Sequence, residues 1–147
     1  MSSSEDMKRV VQGSDTVFLV TNFWEYQSAE PEIIQGKTVA DACKAVGVKH
    51  LIFSSTIDVT KESNGRFVHV THFDGKAEVE RYIRQTGLPA SFVLPGIFKT
   101  ELFHLIHKQE DGSCILAVPS TTQAPAPFID IVADMGRSLL YADVFRD

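Results

Sequence analysis

An α/β fold built on a parallel sheet is what this sequence predicts, and two observations carry the prediction. Strand-like runs at residues 16–20, 50–53 and 90–94 are separated by long segments of helical period, and parallel pairing needs crossovers of that length. The runs are also continuously apolar rather than alternating, which suits strands buried on both faces.

Each element has its own warrant. Residues 1–15 read as a polar tail leading into a short helical remnant, Met7 to Gln12, closed by Gly13; residues 16–147 form the domain core. Thr16–Val20 is the first strand. Pro31 sits where a first-turn proline belongs, and the helix it opens runs to Val46, with Gly47 as its cap. Ile33, Gly36, Ala40 and Cys43 form one stripe of that helix. Most of them are small, which lets a helix lie close on a sheet. His50–Phe53 is the second strand, and the polar loop 56–67 follows with Asn64-Gly65 as its turn. An amphipathic helix covers 70–86, stopped by Gly87, and Ala90–Leu94 is the third strand. Beyond Gly96 the pattern predicts a helix over Phe98–Lys108, a turn at Asp111-Gly112, a strand over Ser113–Val118 and a loop over 119–127. A last helix, 131–141, begins after Asp130, a good N-cap.

Composition narrows the function. The 147 residues are 44% hydrophobic and 22% charged, with a formal net charge of −5. Neither the balance nor any Lys/Arg run offers a footprint for direct nucleic-acid binding. The start, Met1-Ser2-Ser3-Ser4-Glu5-Asp6, is polar and acidic, unlike a signal or transit peptide, and no apolar run approaches membrane-spanning length. Cys43 and Cys114 form no C-x-x-C pair and read as reduced thiols.

In open α/β sheets ligands bind beyond the carboxyl ends of the strands. Three such ends carry notable residues here: Thr21-Asn22, Ser54-Ser55 and Pro95-Gly96. The helix after residue 69 places His72, Lys76, Val79 and Ile83 on one face. Lysine is rarely found on a packing face without a partner, so a phosphate, a ribose hydroxyl or a carboxylate is expected near its ammonium; the plainer reading is a lysine that snorkels to the sheet edge. Other candidates are weaker. The His104/His107 and His69/His72 pairs lack a third ligand of matching spacing, so no metal site is expected. Phe18, Phe23 and Trp24 read as core aromatics before they read as a base-stacking platform. Ser54 sits in no G-x-S-x-G elbow.

The phrases "VFLVTNFWE", "GVKHLIFSS", "HFDGKAEVERYIRQTGLPASFVLPG" and "PFIDIVADMG" resemble the NmrA-like family, atypical members of the short-chain dehydrogenase/reductase superfamily, and span residues 11–141 in the family's order. The resemblance implies a Rossmann-like sheet with flanking helices and a cofactor, NADP or NAD. It implies contacts to that cofactor from Thr21 and Asn22, from Ser54 and Ser55 on the nicotinamide side, and from Lys76 to the ribose. Pro95, Gly96 and Ile97 match a loop over the nicotinamide. Active reductases of the superfamily use Tyr-x-x-x-Lys, whereas this chain has His72-x-x-x-Lys76. No catalytic residue is therefore expected; His72 and Lys76 are the candidates if the protein is an enzyme.

The family's G-x-x-G-x-x-G turn has no counterpart, so the glycine-rich first half of the fold is absent and the chain resembles a core truncated at both ends. Three functions follow: a non-catalytic regulator in the cytoplasm or nucleus, related to dinucleotide sensors that bind partner proteins; an NAD(P)H-dependent oxidoreductase or part of one; or a protein acting through protein contacts alone. Weak or absent dinucleotide binding is expected. The edge Val17–Val20, stripped of its neighbour, is expected to pair with a second copy or a partner protein.

Overall fold

The computed structural model describes residues 4–117 and 126–144. Most of the loop expected over 119–127, and Val118, lie outside the described residues. The chain divides into two units, one of residues 1–94 and 139–147, the other of residues 95–138.

The first unit begins with α1 (Ser4–Val11), which starts earlier than its apolar pattern suggests. Glu5 and Asp6 in its first turn and Lys8 and Arg9 in its last complement the helix dipole. Val11 enters the core, and Met7 packs against it. Then come β1 (Thr16–Leu19), α2 (Ala29–Val46), β2 (His50–Ser54), α3 (Val59–Glu62), α4 (Thr71–Thr86) and β3 (Ala90–Val93). Gly47 and Gly87, at φ +78° and +72°, end α2 and α4 in the left-handed conformation that glycine adopts freely. The short helix α3 arises inside the expected polar loop because Asp58 caps it, accepting from the Lys61 amide at 2.9 Å.

The sheet order is β1-β2-β3 and every pairing is parallel, as the sequence predicts. Leu19 lies level with Phe53, and Phe53 with Phe92. Among the described residues only β2 is a strand buried along its whole length. In β1, Leu19 turns into the core while Phe18 is 39% exposed, and Val20 just beyond is 58% exposed. The expectation of burial on both faces therefore fails for β1. Among the described residues it pairs with β2 alone and forms the sheet's edge.

The core lies between the sheet and the α2/α4 pair. Leu51, Phe53, Val79 and Ile83 are fully buried there, each contributing roughly 1.5–3 kcal/mol. Small residues set the helix spacing: Ala40 and Cys43 are fully buried, and Gly36 faces Val79 with no room for a side chain.

In the second unit the expected helix 98–108 is broken. Its place is taken by β4 (Ile97–Phe98), a 3-10 turn (Lys99–Glu101), α5 (Leu102–Leu105) and β5 (Ile106–Lys108). β5 forms an antiparallel hairpin with β6 (Cys114–Leu116) around Gly112 at φ +84°. The Asp111-Gly112 turn, read correctly, pulls the preceding residues into a ladder that overrides their helical period. β7 (Phe128–Ile129) pairs in parallel with β4. α6 (Ile131–Val144) starts as expected: the Asp130 carboxylate accepts from the Val132 and Ala133 amides, both at 3.1 Å. Its last residues belong to the first unit.

Candidate functional site

The carboxyl edge of β1 and β2 collects most of the candidate residues. Because Leu19 and Phe53 are level, Thr21 and the Ser54-Ser55 pair leave the sheet at the same edge. Thr21, Ser54 and Ser55 are all buried. The Ser55 amide donates to Val93 O at 2.9 Å, tying this end of β2 to β3. Asn22 is exposed; its amide oxygen accepts from the Trp24 amide at 3.1 Å and caps the 3-10 turn Phe23–Glu25.

Lys76 reaches this edge from α4, and its partner is a carboxylate. The ammonium donates to Thr21 O at 2.7 Å, to Thr21 Oγ1 at 2.9 Å and to Glu32 Oε1 at 2.5 Å. An ammonium has three donors, and all three are used. The Thr21 hydroxyl in turn donates to Glu32 Oε1 at 2.7 Å. Glu32 is 1% exposed, and its other oxygen, Oε2, is buried with no hydrogen-bond partner. A Cβ on Gly75 would lie 3.2 Å from Ala29 Cβ and 3.5 Å from that oxygen, so glycine lets α4 approach the start of α2 here.

His72 stands apart from this cluster. Its ring packs against Phe23 at 5.6 Å, Trp24 at 5.5 Å and Phe73 at 4.9 Å. Phe23 is a core aromatic, whereas Trp24 is 67% exposed. Pro95, Gly96 and Ile97 belong to the second unit, where the Ile97 amide donates to Pro127 O at 2.8 Å. The structure thus brings Thr21 and Lys76 together beside Ser54-Ser55, and places the Pro95–Ile97 loop in a separate packing unit.

Two buried residues escaped the sequence reading. Glu32 was legible: it lies four residues before Gly36 on the same helix stripe, opposite a lysine that needed a partner. His50, 2% exposed, had no such signal. At the amino ends of the strands, its Nε2 lies 2.9 Å from Ser91 Oγ and its Nδ1 3.4 Å from Asp143 Oδ1, and Thr16 donates to that same Asp143 oxygen at 2.8 Å. These contacts dock the end of α6 at the edge opposite Lys76.

Two clefts flank α4 and α2. One, of about 520 Å³, has Asp58, Lys61, Glu80, Arg81 and Arg84 on its walls. Its arginines are already engaged, Arg81 with Asp58 at 2.9 Å and Arg84 with Glu80 at 2.7 Å. Arg84 also covers the Phe92 ring at 4.0 Å. The other cleft, of about 270 Å³, lies beside β1, lined by Leu19, Val20, Asn22, Ile34 and Gln35 among others. Burial pushes the Cys43 thiol up to about 11, which makes it inert; Cys114 is exposed. Among the described residues no three His, Cys, Asp or Glu side chains gather as a metal site, and no helix is long and apolar enough to cross a membrane.

Asp74, in the first turn of α4, fastens the α3 loop. It accepts from the Thr60 amide at 3.1 Å and from the Thr60 hydroxyl at 2.6 Å. Burial acts against its charge, but the hydrogen bonds from Thr60 and Val59, with a smaller effect of the His72 ring, hold the carboxyl below its ordinary 3.8. A lowered folded value means that this anchor is complete above pH 3.8 and is lost as pH falls through the folded value. Amides of residues 59–62 are expected to lose hydrogen-exchange protection over that acidic window, and Asp74→Asn is expected to abolish the step.

Comparison with known proteins agrees with this architecture. The family model for the NmrA-like family matches residues 1–143. The nitrogen metabolite repression protein nmrA of Emericella nidulans is 33% identical over 148 residues, covering 96% of this chain and 40% of that protein. The NmrA-like family domain-containing oxidoreductase malD of Malbranchea aurantiaca is 35% identical over 115 residues, covering 69% of this chain and 33% of that protein. Among solved structures, NmrA, described as a negative transcriptional regulator and crystallised in complex with NADP, superposes with a TM-score of 0.77 at 31% identity. It covers 93% of this chain and 43% of that one. The chain spans less than half the length of each of these relatives. A sheet, a helix order and a sequence that all match over nearly its whole length show that it belongs to the NmrA-like family.

Proposed function

We propose that the protein is a non-catalytic regulator that engages a nicotinamide dinucleotide weakly at the carboxyl edge of its sheet and acts through protein contacts, in the cytoplasm or nucleus. One observation carries this reading. The lysine of the superfamily pattern is present and well held, but the residue four positions earlier is His72, boxed by aromatic rings instead of offering a phenol beside Lys76. The edge has groups that suit sugar hydroxyls and lacks the usual proton donor.

The residues fit part of a dinucleotide. Thr21, Asn22, Ser54, Ser55 and Lys76 would hold its ribose side. By resemblance, Pro95, Gly96 and Ile97 border the nicotinamide. Residues 1–147 carry no glycine-rich turn to cradle the pyrophosphate, so this segment by itself is expected to bind NADP or NAD with affinity weaker than micromolar. Solved NmrA relatives hold NAD and NADP, which supports the ligand class.

Calorimetric titration with NAD, NADP and their reduced forms tests the first half. A dissociation constant at or below the micromolar range would refute it, and no binding at all would leave the reading of protein contacts alone. The oxidoreductase malD supports a second reading, a reductase. Oxidation of NADPH with aldehydes, ketones or quinones, lost in both His72→Ala and Lys76→Ala, would establish that reading instead.

The partner surface in this proposal is the β1 edge, apolar from Val17 to Val20 and unpaired on one side among the described residues. Its occupant is a second copy or a partner protein. Leu19 belongs to the core, so the informative substitution is Val20→Lys. Light scattering after size exclusion is expected to show a dimer that Val20→Lys reduces to a monomer.

A further inference from the structure

We infer that Glu32, Lys76 and Thr21 form an internal latch on the end of β1, so that whatever takes the Lys76 ammonium releases the strand end. The inference rests on the proposal above for the ligand, a molecule carrying ribose hydroxyls, and concerns how its binding is coupled to the β1 edge.

A count of donors is the first step. Lys76 has three N–H groups and three acceptors within 2.9 Å, two of them on Thr21. A new acceptor at this ammonium must displace one of these. A shielded carboxylate holds an ammonium more firmly than a neutral carbonyl or hydroxyl does, because opposite full charges attract where little water screens them. Glu32 Oε1 is the closest contact, at 2.5 Å, and Glu32 is almost wholly shielded from water. The bond surrendered is therefore one of the two to Thr21. One of them goes to the main-chain carbonyl, so its loss frees backbone as well as side chain. Thr21 also donates to Glu32 Oε1, while Oε2 stands empty beside it.

Location gives the latch its consequence. Thr21 lies two residues beyond Leu19, the last residue of the edge strand, and Val20 between them is 58% exposed. The Asn22 cap and the Phe23–Glu25 turn follow at once. Opening the latch loosens the carboxyl end of the edge proposed for docking. Ligand and partner are then linked through one side chain, and each weakens or strengthens the other by the same factor.

Hydrogen exchange of peptide 18–26, read against peptide 48–54 of β2, decides the matter. The double variant Glu32→Gln/Lys76→Gln removes the ammonium without stranding a buried charge. It is expected to exchange about tenfold faster in 18–26 with 48–54 unchanged, and an unchanged 18–26 would overturn the latch. In the wild-type chain, NADPH at a concentration that calorimetry shows to be saturating is expected to raise exchange in 18–26 in the same way. Saturation with no such rise would overturn the coupling. If calorimetry detects no binding, the dinucleotide proposal fails, and the double variant alone judges the latch.

Discussion

Lys76→Met is expected to destabilise the protein by about 3–5 kcal/mol, the loss typical of breaking a buried ion pair from one side. The cost lies in what remains. Glu32 is 1% exposed, already has one oxygen without a partner, and would lose its counterion while still shielded from water. Screening offers little relief, because the Lys76 side chain is itself only 17% exposed. For a chain of this size the melting temperature is expected to fall by about 10 °C. Adding Glu32→Gln to Lys76→Met is expected to restore most of the loss, since the buried charge then disappears with its partner. Urea unfolding of the two single variants and the double supplies the cycle. A loss below about 1 kcal/mol in Lys76→Met would mean that the pair behaves like an exposed salt bridge.

A side chain at position 36 is expected to separate α2 from α4. A Cβ there would lie 2.6 and 2.7 Å from the two methyls of Val79, which is fully buried. Those methyls sit on a β-branched side chain with a stiff χ1 and cannot swing aside. Overpacking of this kind costs about 1–3 kcal/mol. Alanine recovers up to about 1 kcal/mol of helix propensity over glycine, so Gly36→Ala is expected to remain net destabilising. Gly36→Leu is expected to cost about 3 kcal/mol or more. Val79→Ala should relieve much of the Gly36→Ala penalty by opening the space the new methyl needs. A melting temperature of Gly36→Ala at or above wild type would show that the two helices part without cost.

The helix ends and the parallel order were legible because their signals are local. Gly47, Gly87 and Asp130 each stop or start a helix through their own backbone or side chain. Lys76 also announced itself, since a charge on a packing face requires a partner, and Glu32 completes that logic from the facing stripe. Strand orientation was hidden in Val17–Val20, where an unbroken apolar run gives no period to show which residues face inward. Only the fold shows that Leu19 is core and Val20 is not. Residues 98–108 misled for the opposite reason: their helical period is real, but pairing of Ile106 with Leu116 across the hairpin outweighs it. His50 depends on Asp143, far along the chain, and no local pattern could join them.

Parallel pairing also sets a timetable. Thr16 faces His50, and Leu51 faces Ala90, so each rung of the ladder closes a loop of more than thirty residues. Such closures carry entropy that no hairpin pays, and they place folding toward the slower end for a domain of this size. During synthesis at about 5–20 residues per second, β1 emerges roughly 2–7 s before the strand that will cover it. Through that interval Val17-Phe18-Leu19-Val20 is bare on the side that β2 will take, with neither a charge nor a proline to discourage a chance neighbour. The nascent chain is therefore most vulnerable to misassembly between the release of β1 and the arrival of β2.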